Sequence, residues 1–244
     1  MVNRESDKRV IPTLLLKDRG FYKTKRFKNP RYLGDPINIL KIFNEKEVDE
    51  ILILDISGSN SAIDYLYLKE IVSECFMPVA YGGNINSVSQ IKECLKIGIE
   101  KVCICSALFN EEFIKSAVLN FGSSTIIGKI DIKFDFFGTP YIYTNGGRKK
   151  VMKFDSEVVE YINRMELGEI CINIIDKEAT FKGLDDTIIT DFSHQFSMPF
   201  IISGGAINKS DIQQALNLGA DAVAAGACFV YQGKHNAVLI SYER

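Results

Sequence analysis

No apolar run in this sequence approaches the roughly 18 residues that a membrane-spanning helix needs, so no membrane partner is expected. The stretch Met1-Val-Asn-Arg-Glu-Ser-Asp-Lys-Arg9 lacks the apolar region of a signal peptide, and the chain is expected to stay in the cytoplasm. An excess of either charge is also missing. Lysines and arginines number 29 against 31 acidic residues, and the resulting net charge of -2 gives no electrostatic case for nucleic acid. Cys103-Ile-Cys105 would set two thiols on one face of a strand, but no further Cys/His pair has the spacing of zinc ligands. Neither a metal nor another cofactor is expected. Cys94, Cys103, Cys105, Cys171 and Cys228 fall in apolar strand or helix patterns and Cys75 ends a helical one, so all read as buried free thiols packed as small hydrophobes. Low-complexity segments and interdomain linkers are absent, and 244 residues suit a single domain over 1–244.

What is present is a repetition. Tyr81-Gly-Gly-Asn-Ile-Asn86 returns about 120 residues later as Ser203-Gly-Gly-Ala-Ile-Asn208, and Ile91-Lys-Glu-Cys-Leu-Lys-Ile-Gly-Ile-Glu100 returns as Ile212-Gln-Gln-Ala-Leu-Asn-Leu-Gly-Ala-Asp221. Ile51–Ile56 and Cys171–Asp176 keep a similar offset, so the match covers several elements in order, as duplication of a half-domain requires. Short Ile-, Val- and Leu-rich runs with few polar alternations read as parallel strands buried on both faces. They are Val10–Leu16, Ile51–Asp55, Val79–Tyr81, Val102–Cys105, Ile126–Asp131, Ile170–Ile174, Phe200–Ser203 and Ala222–Ala225. Between them lie amphipathic stretches, Pro36–Phe43, Ala62–Cys75, Val88–Ile97, Glu111–Asn120, Ser156–Leu167, Asp186–Gln195 and Lys209–Leu218. Eight strands alternating with helices predict a (β/α)8 barrel built from two half-barrels. Gly98 and Gly219 fit C-terminal helix caps.

The longest early connection, Lys17–Asp35, carries seven lysines and arginines and would project from the catalytic face. A mobile basic segment there suits closure over an anionic ligand, and solvation or contact with a partner suits it equally. Gly82-Gly83 and Gly204-Gly205 follow the third and seventh predicted strands. Glycine lets a backbone approach a ligand closely, so consecutive N–H groups can hold a phosphate without charged side chains. Two such pairs related by duplication point to a doubly phosphorylated ligand or the remains of its site.

With Gly34-Asp-Pro36, Asp49-Glu-Ile-Leu-Ile-Leu-Asp55, Ser203-Gly-Gly-Ala206 and the half-barrel repeat, the chain resembles the cyclase subunit of imidazole glycerol phosphate synthase from end to end. The resemblance implies a glutaminase subunit as partner, ammonia entering the lower end of the barrel, and a lyase and cyclase reaction of histidine biosynthesis at the top. It implies a phosphorylated small molecule or free phosphate at Gly82, Gly83, Ser106, Ser203, Gly204, Gly205 and Gly226. Its chemistry uses two aspartates as general acid and base. Asp131 matches one, but the other position holds Leu15, which exchanges no proton. Cys105-Ser106, Glu178-Ala179 and Gly226-Ala227 also depart from the family pattern. A cyclase would need another carboxylate in place of Leu15, with Asp18 or Asp55 as the candidates. A related sugar-phosphate isomerase needs its own pair of aspartates, so Leu15 counts against it too.

The opposite end keeps the pattern. Arg9, Glu50, Lys101 and Glu169 match four charged residues that ring the family's ammonia entrance, and Glu100 matches an acidic residue facing the glutaminase. A retained gate beside a lost catalytic carboxylate implies conduction without cyclisation. The loop Phe21–Pro36 is more similar to a paralogous branch whose barrel supplies ammonia to a sugar amidotransferase of surface-polysaccharide biosynthesis. Under that reading the acceptor is a nucleotide-linked sugar. A scaffold that binds the glutaminase without conducting is the further alternative.

Overall fold

A computed structural model describes residues 8–58 and 61–242; the N-terminal reading falls almost wholly on residues 1–7, outside the described residues. In chain order the first half contains β1 (Arg9–Lys17), β2 (Gly20–Lys25), β3 (Lys28–Gly34), α1 (Pro36–Glu45), β4 (Ile51–Asp55), α2 (Tyr65–Ser73), β5 (Val79–Gly82), α3 (Val88–Lys96), β6 (Lys101–Ile104) and α4 (Glu111–Phe121). The second contains β7 (Ile126–Phe134), β8 (Pro140–Thr144), β9 (Lys149–Lys153), α5 (Ser156–Asn163), β10 (Glu169–Ile174), α6 (Asp186–Phe192), β11 (Phe200–Ser203), α7 (Lys209–Leu218), β12 (Ala222–Ala225), α8 (Ala227–Val230), β13 (Tyr231–Gln232) and β14 (Ala237–Val238). β1, β4, β5, β6, β7, β10, β11 and β12 pair in parallel, and β12 returns to β1, so the sheet closes into the eight-stranded barrel.

The helices start where short polar side chains can satisfy the first turn. Asp35, Asp64, Ser87, Asn110, Asp155, Asp185 and Asn208 each accept the N–H three residues on, replacing a bond that a helix start cannot make internally. Each helix buries an apolar stripe against the strands. The barrel interior is a separate cluster that draws on every barrel strand: Ile11, Leu52, Ala80, Cys103, Ile127, Cys171, Ile201, Ala222 and Ala224. Strand side chains alternate with period two. Two residues before this waist, Arg9, Glu50, Lys101 and Glu169 point inward at the bottom. Two residues after it come Thr13, Lys129 and Asn173, and two further come Leu15 and Asp131.

The structure corrects several expectations. The basic first connection is an ordered antiparallel hairpin, β2–β3, continued from β1. A second hairpin, β8–β9, continues β7, which runs three residues past the predicted end at Asp131. α2 and α5 are shorter than their amphipathic stretches, and Asp186–Gln195 ends in a 3-10 turn. Cys94, Cys103 and Cys171 are buried, whereas Cys75, Cys105 and Cys228 are only partly so. After α8 the chain forms the small β13–β14 hairpin and an extended stretch in which Tyr242 packs on Phe229 at 5.3 Å. No helix among the described residues is long and apolar enough to cross a membrane.

Candidate functional site

At the bottom of the barrel four side chains from four strands form a closed square. Arg9 donates to Glu50 at 2.6 Å and to Glu169 at 2.9 Å, and Lys101 donates to the same two carboxylates at 3.0 Å each. The charges alternate and cancel, so each carboxylate is bound by two cations. Burial opposes the charge on Arg9, but Glu169 and Glu50 together hold its pKa above the ordinary arginine value. Glu50 Oε1 and Glu169 Oε2 are buried and have no hydrogen-bond partner among the described residues. Glu100, next to Lys101, is exposed at the rim.

Above the ring the waist is apolar, and above the waist stands a cation. Lys129 is buried and paired with Asp131, the next inward residue of the same strand. Asp131 also accepts from Asn173 Nδ2 at 2.8 Å, because the register sets Asn173 directly beside it on β10, and it lies 3.4 Å from Cys105 Sγ. Burial opposes the charge on Lys129, but Asp131, with smaller contributions from Cys105, Cys171 and Cys103, raises the lysine's pKa on balance. The Cys105 thiol is pushed up by burial and then by Asp131, so it stays protonated. Asp131 is therefore held by three neighbours, across the barrel from the apolar Leu15.

The β2–β3 hairpin folds over this mouth and fastens on Glu178, in the loop after β10. The Glu178 carboxylate pairs with Lys23 and accepts from Thr24 Oγ1 at 3.1 Å and from the Phe27 N–H at 3.1 Å. Arg26 adds bonds to the carbonyls of Asp176 and Glu178 at 2.9 and 3.2 Å. Phe27 sits with its ring centroid 5.7 Å from the Lys129 ammonium, so the tip of the hairpin meets the top of the buried pair. Beneath it remains a cavity of about 50 Å³, lined by Leu15, Lys23, Phe27, Lys129, Asn173, Glu178, Ser203, Gly204, Gly205 and Gly226. A cavity of that size has room for a few water- or ammonia-sized molecules.

The residues singled out from the sequence divide accordingly. Ser203, Gly204, Gly205 and Gly226 gather at the cavity; Gly82, Gly83, Ser106 and Asp131 do not line it. Gly204 and Gly205 have φ of +97° and +112°, and a Cβ on either would come within 2.5 Å of the carbonyl of Ile174 or Gly183. Close packing of two loops thus already requires both glycines. A Cβ on Gly83 would meet Asp55 Cβ at 2.5 Å and Tyr81 Oη at 3.0 Å, so side chains fill that loop. Neither candidate replacement for Leu15 joins the mouth: Asp18 is exposed beside Lys17, and Asp55 accepts from Ser57 N and Tyr81 Oη at 2.8 and 3.2 Å. Sequence reasoning missed Lys129, Lys23 and the latching role of Glu178. The signal for Lys129 was available, since period two from Asp131 places a lysine inside an otherwise apolar strand.

Residues 9–236 match the family described as histidine biosynthesis protein. The chain is 40% identical over 239 residues to the putative imidazole glycerol phosphate synthase subunit hisF2 of Pseudomonas aeruginosa, covering 96% of this chain and 95% of that one. It is similarly 40% identical over 242 residues to the putative subunit hisF3 of Vibrio vulnificus, at 96% and 92% coverage. To the imidazole glycerol phosphate synthase subunit HisF of Leptospira biflexa it is 34% identical over 230 residues, covering 92% and 90%.

Proposed function

The chain belongs to the histidine biosynthesis protein family, as a HisF-like member, and from that premise we propose that it is the barrel subunit of a glutamine amidotransferase. In this reading a glutaminase subunit docks on the lower face around Glu100, releases ammonia at the ring, and the barrel conducts it to the upper mouth. There a separate enzyme uses it, in the finer form of the proposal to amidate a nucleotide-linked sugar for surface polysaccharide.

The observation that carries the reading is the contrast between the two ends. The ring is complete and neutral, and its two buried carboxylate oxygens that lack partners among the described residues offer acceptors to the N–H groups of ammonia in transit. An apolar waist favours uncharged NH3 and opposes NH4⁺, because an ion would leave its hydration there. At the upper end Leu15 cannot exchange a proton and Asp131 is committed to Lys129, which disfavours acid/base cyclisation. The name HisF on the relatives supports histidine biosynthesis as the ancestral role. Leu15 and Lys129 argue that this chain has left it.

The test is a reconstituted mixture of this chain, a co-encoded glutaminase and the acceptor enzyme. Lys101→Ala and Arg9→Ala are expected to leave the glutaminase bound and to raise the ammonia lost to solvent per amidated product. A ratio unchanged by both substitutions removes the gate. Failure to bind the glutaminase at all returns the chain to a stand-alone enzyme, and binding without ammonia transfer makes it a scaffold.

A further inference from the structure

The loop after β7 carries a feature for which neither the fold nor the proposed conduit has a use. Phe136 and Phe137 are 96% and 88% exposed at the tip of the β7–β8 turn, packed edge-on against each other at 5.5 Å. The turn does not need them. Asp135 holds it by accepting from Phe137 N and Thr139 N at 2.9 and 2.8 Å, while its own backbone exchanges bonds with Thr139 and Gly138. Isolated exposed hydrophobes are ordinary, but two adjacent phenylalanines held clear of the surface on a fixed turn expose apolar area that contributes nothing to the core.

All five residues of β9 are exposed; Lys153, opposite Tyr141, lies nearest the tip, and Lys149 and Lys150, opposite Thr144 and Tyr143 with Arg148 just before them, lie towards the barrel end of the hairpin. β9 pairs only with β8 among the described residues and ends the sheet, so its outer edge is open. Lysines on an edge strand guard against self-pairing. That accounts for the cations without accounting for the phenylalanines. Asp135 is engaged in the turn, and Asp155 caps α5 and pairs with Lys153 at 3.9 Å, so among the described residues Arg148, Lys149 and Lys150 carry the positive charge of the hairpin, with Lys150 lying over the Tyr141 ring. The patch therefore combines an aromatic anchor, an open strand edge and a positive rim. It rises from the strand that carries Lys129 and Asp131, on the face opposite the ring.

We propose that this hairpin is the docking surface for the enzyme that consumes the ammonia, a protein presenting an apolar pocket for Phe136-Phe137 within an acidic rim. This rests on the conduction reading, since ammonia leaving the upper mouth reaches a partner only if that partner seals against the same end. Aromatic side chains in a central pocket supply most of the affinity of such contacts, and the charged rim supplies orientation and rate.

The experiment introduces p-benzoylphenylalanine in place of Phe137 in the full chain, co-expressed with its glutaminase in the native cell, and identifies the photo-adduct by mass spectrometry. The expected adduct is an enzyme of the class that forms a C–N bond with ammonia. Once purified, that enzyme is expected to bind the wild-type chain and to lose at least tenfold in affinity for the F136S/F137S variant. It should also bind K149E/K150E more weakly, while glutaminase binding and glutamine hydrolysis stay unchanged in both variants. Adducts with a second copy of this chain, with the glutaminase or with lipid overturn the proposal, as does no adduct. Affinity unchanged by the serine variant, or increased by the glutamate variant, overturns it as well. If the enzyme docks through the tip but glutamine yields no amidated product, the conduction reading fails while the docking surface stands.

Discussion

At residue 129 the second half-barrel carries a lysine where the first carries Thr13, and at residue 131 an aspartate where the first carries Leu15. Each member of the resulting pair is tolerable in the barrel only because of the other. Lys129→Met is expected to destabilise the chain by about 3–5 kcal/mol, since it strands a buried carboxylate, whereas Lys129→Met with Asp131→Leu should come within about 1 kcal/mol of wild type or exceed it. Urea unfolding of the single and double variants measures both. The same pair explains why Leu15→Asp alone should produce no imidazole product from ammonium: one acid/base member is worth roughly 10²–10⁴-fold, and its partner remains tied to Lys129. Turnover within about tenfold of an ordinary cyclase would contradict this. The thiols supply a pH prediction. Burial raises the pKa of all six, to about 12 for Cys75, Cys94, Cys171 and Cys228. An unfolded thiol titrates near about 8.5, so the folded chain holds these protons more tightly. Their contribution is complete below that value and is lost as pH climbs from about 9 towards 12. Urea midpoints should fall across that range, and less steeply when Cys75 and Cys228 are replaced by Ala.

The elements that shape the upper mouth are the two hairpins, and their legibility differs for a local reason. β8–β9 turns through Asn145-Gly146-Gly147, all at positive φ, and Asn-Gly is the strongest short-range hairpin signal, so this one was available from sequence. β2–β3 turns through Arg26 and Phe27 at φ of 52° and 62°, which neither residue type favours, and no local pattern announces it. Tertiary contact holds that turn, with Glu178 accepting from Phe27 N and Thr24 while balancing Lys23. Glu178→Ala is therefore expected to release the hairpin rather than unfold the barrel, because opening lets Lys23 reach water. Amide exchange over residues 20–34 should quicken at least tenfold while α3 and α4 keep wild-type protection. Equal protection of the hairpin in the variant would show that β1 alone orders it.

Across the whole molecule the barrel sets a neutral ionic ring and a latched mouth about an apolar waist, and the two ends differ in how much of the duplication they keep. A crystal structure grown in phosphate should show an anion against Gly204, Gly205 and Gly226 and none against Gly82-Gly83, where Asp55 and Tyr81 already stand. An anion at the latter, or at neither, would contradict this asymmetry. The sequence by itself determined the fold, because strand and helix identity follows from apolar period and capping residues, and the repeat fixes how the two halves relate. It also determined the ring, since period two carries four strand-start charges inward wherever those strands close. Only the tertiary structure decided the upper end. Whether Asp131 is free or paired, whether a basic loop is open or latched, and whether a glycine pair faces a ligand or a neighbouring carbonyl depend on side chains far apart in sequence. Lys23 and Glu178 stand 155 residues apart, and only barrel closure brings them together.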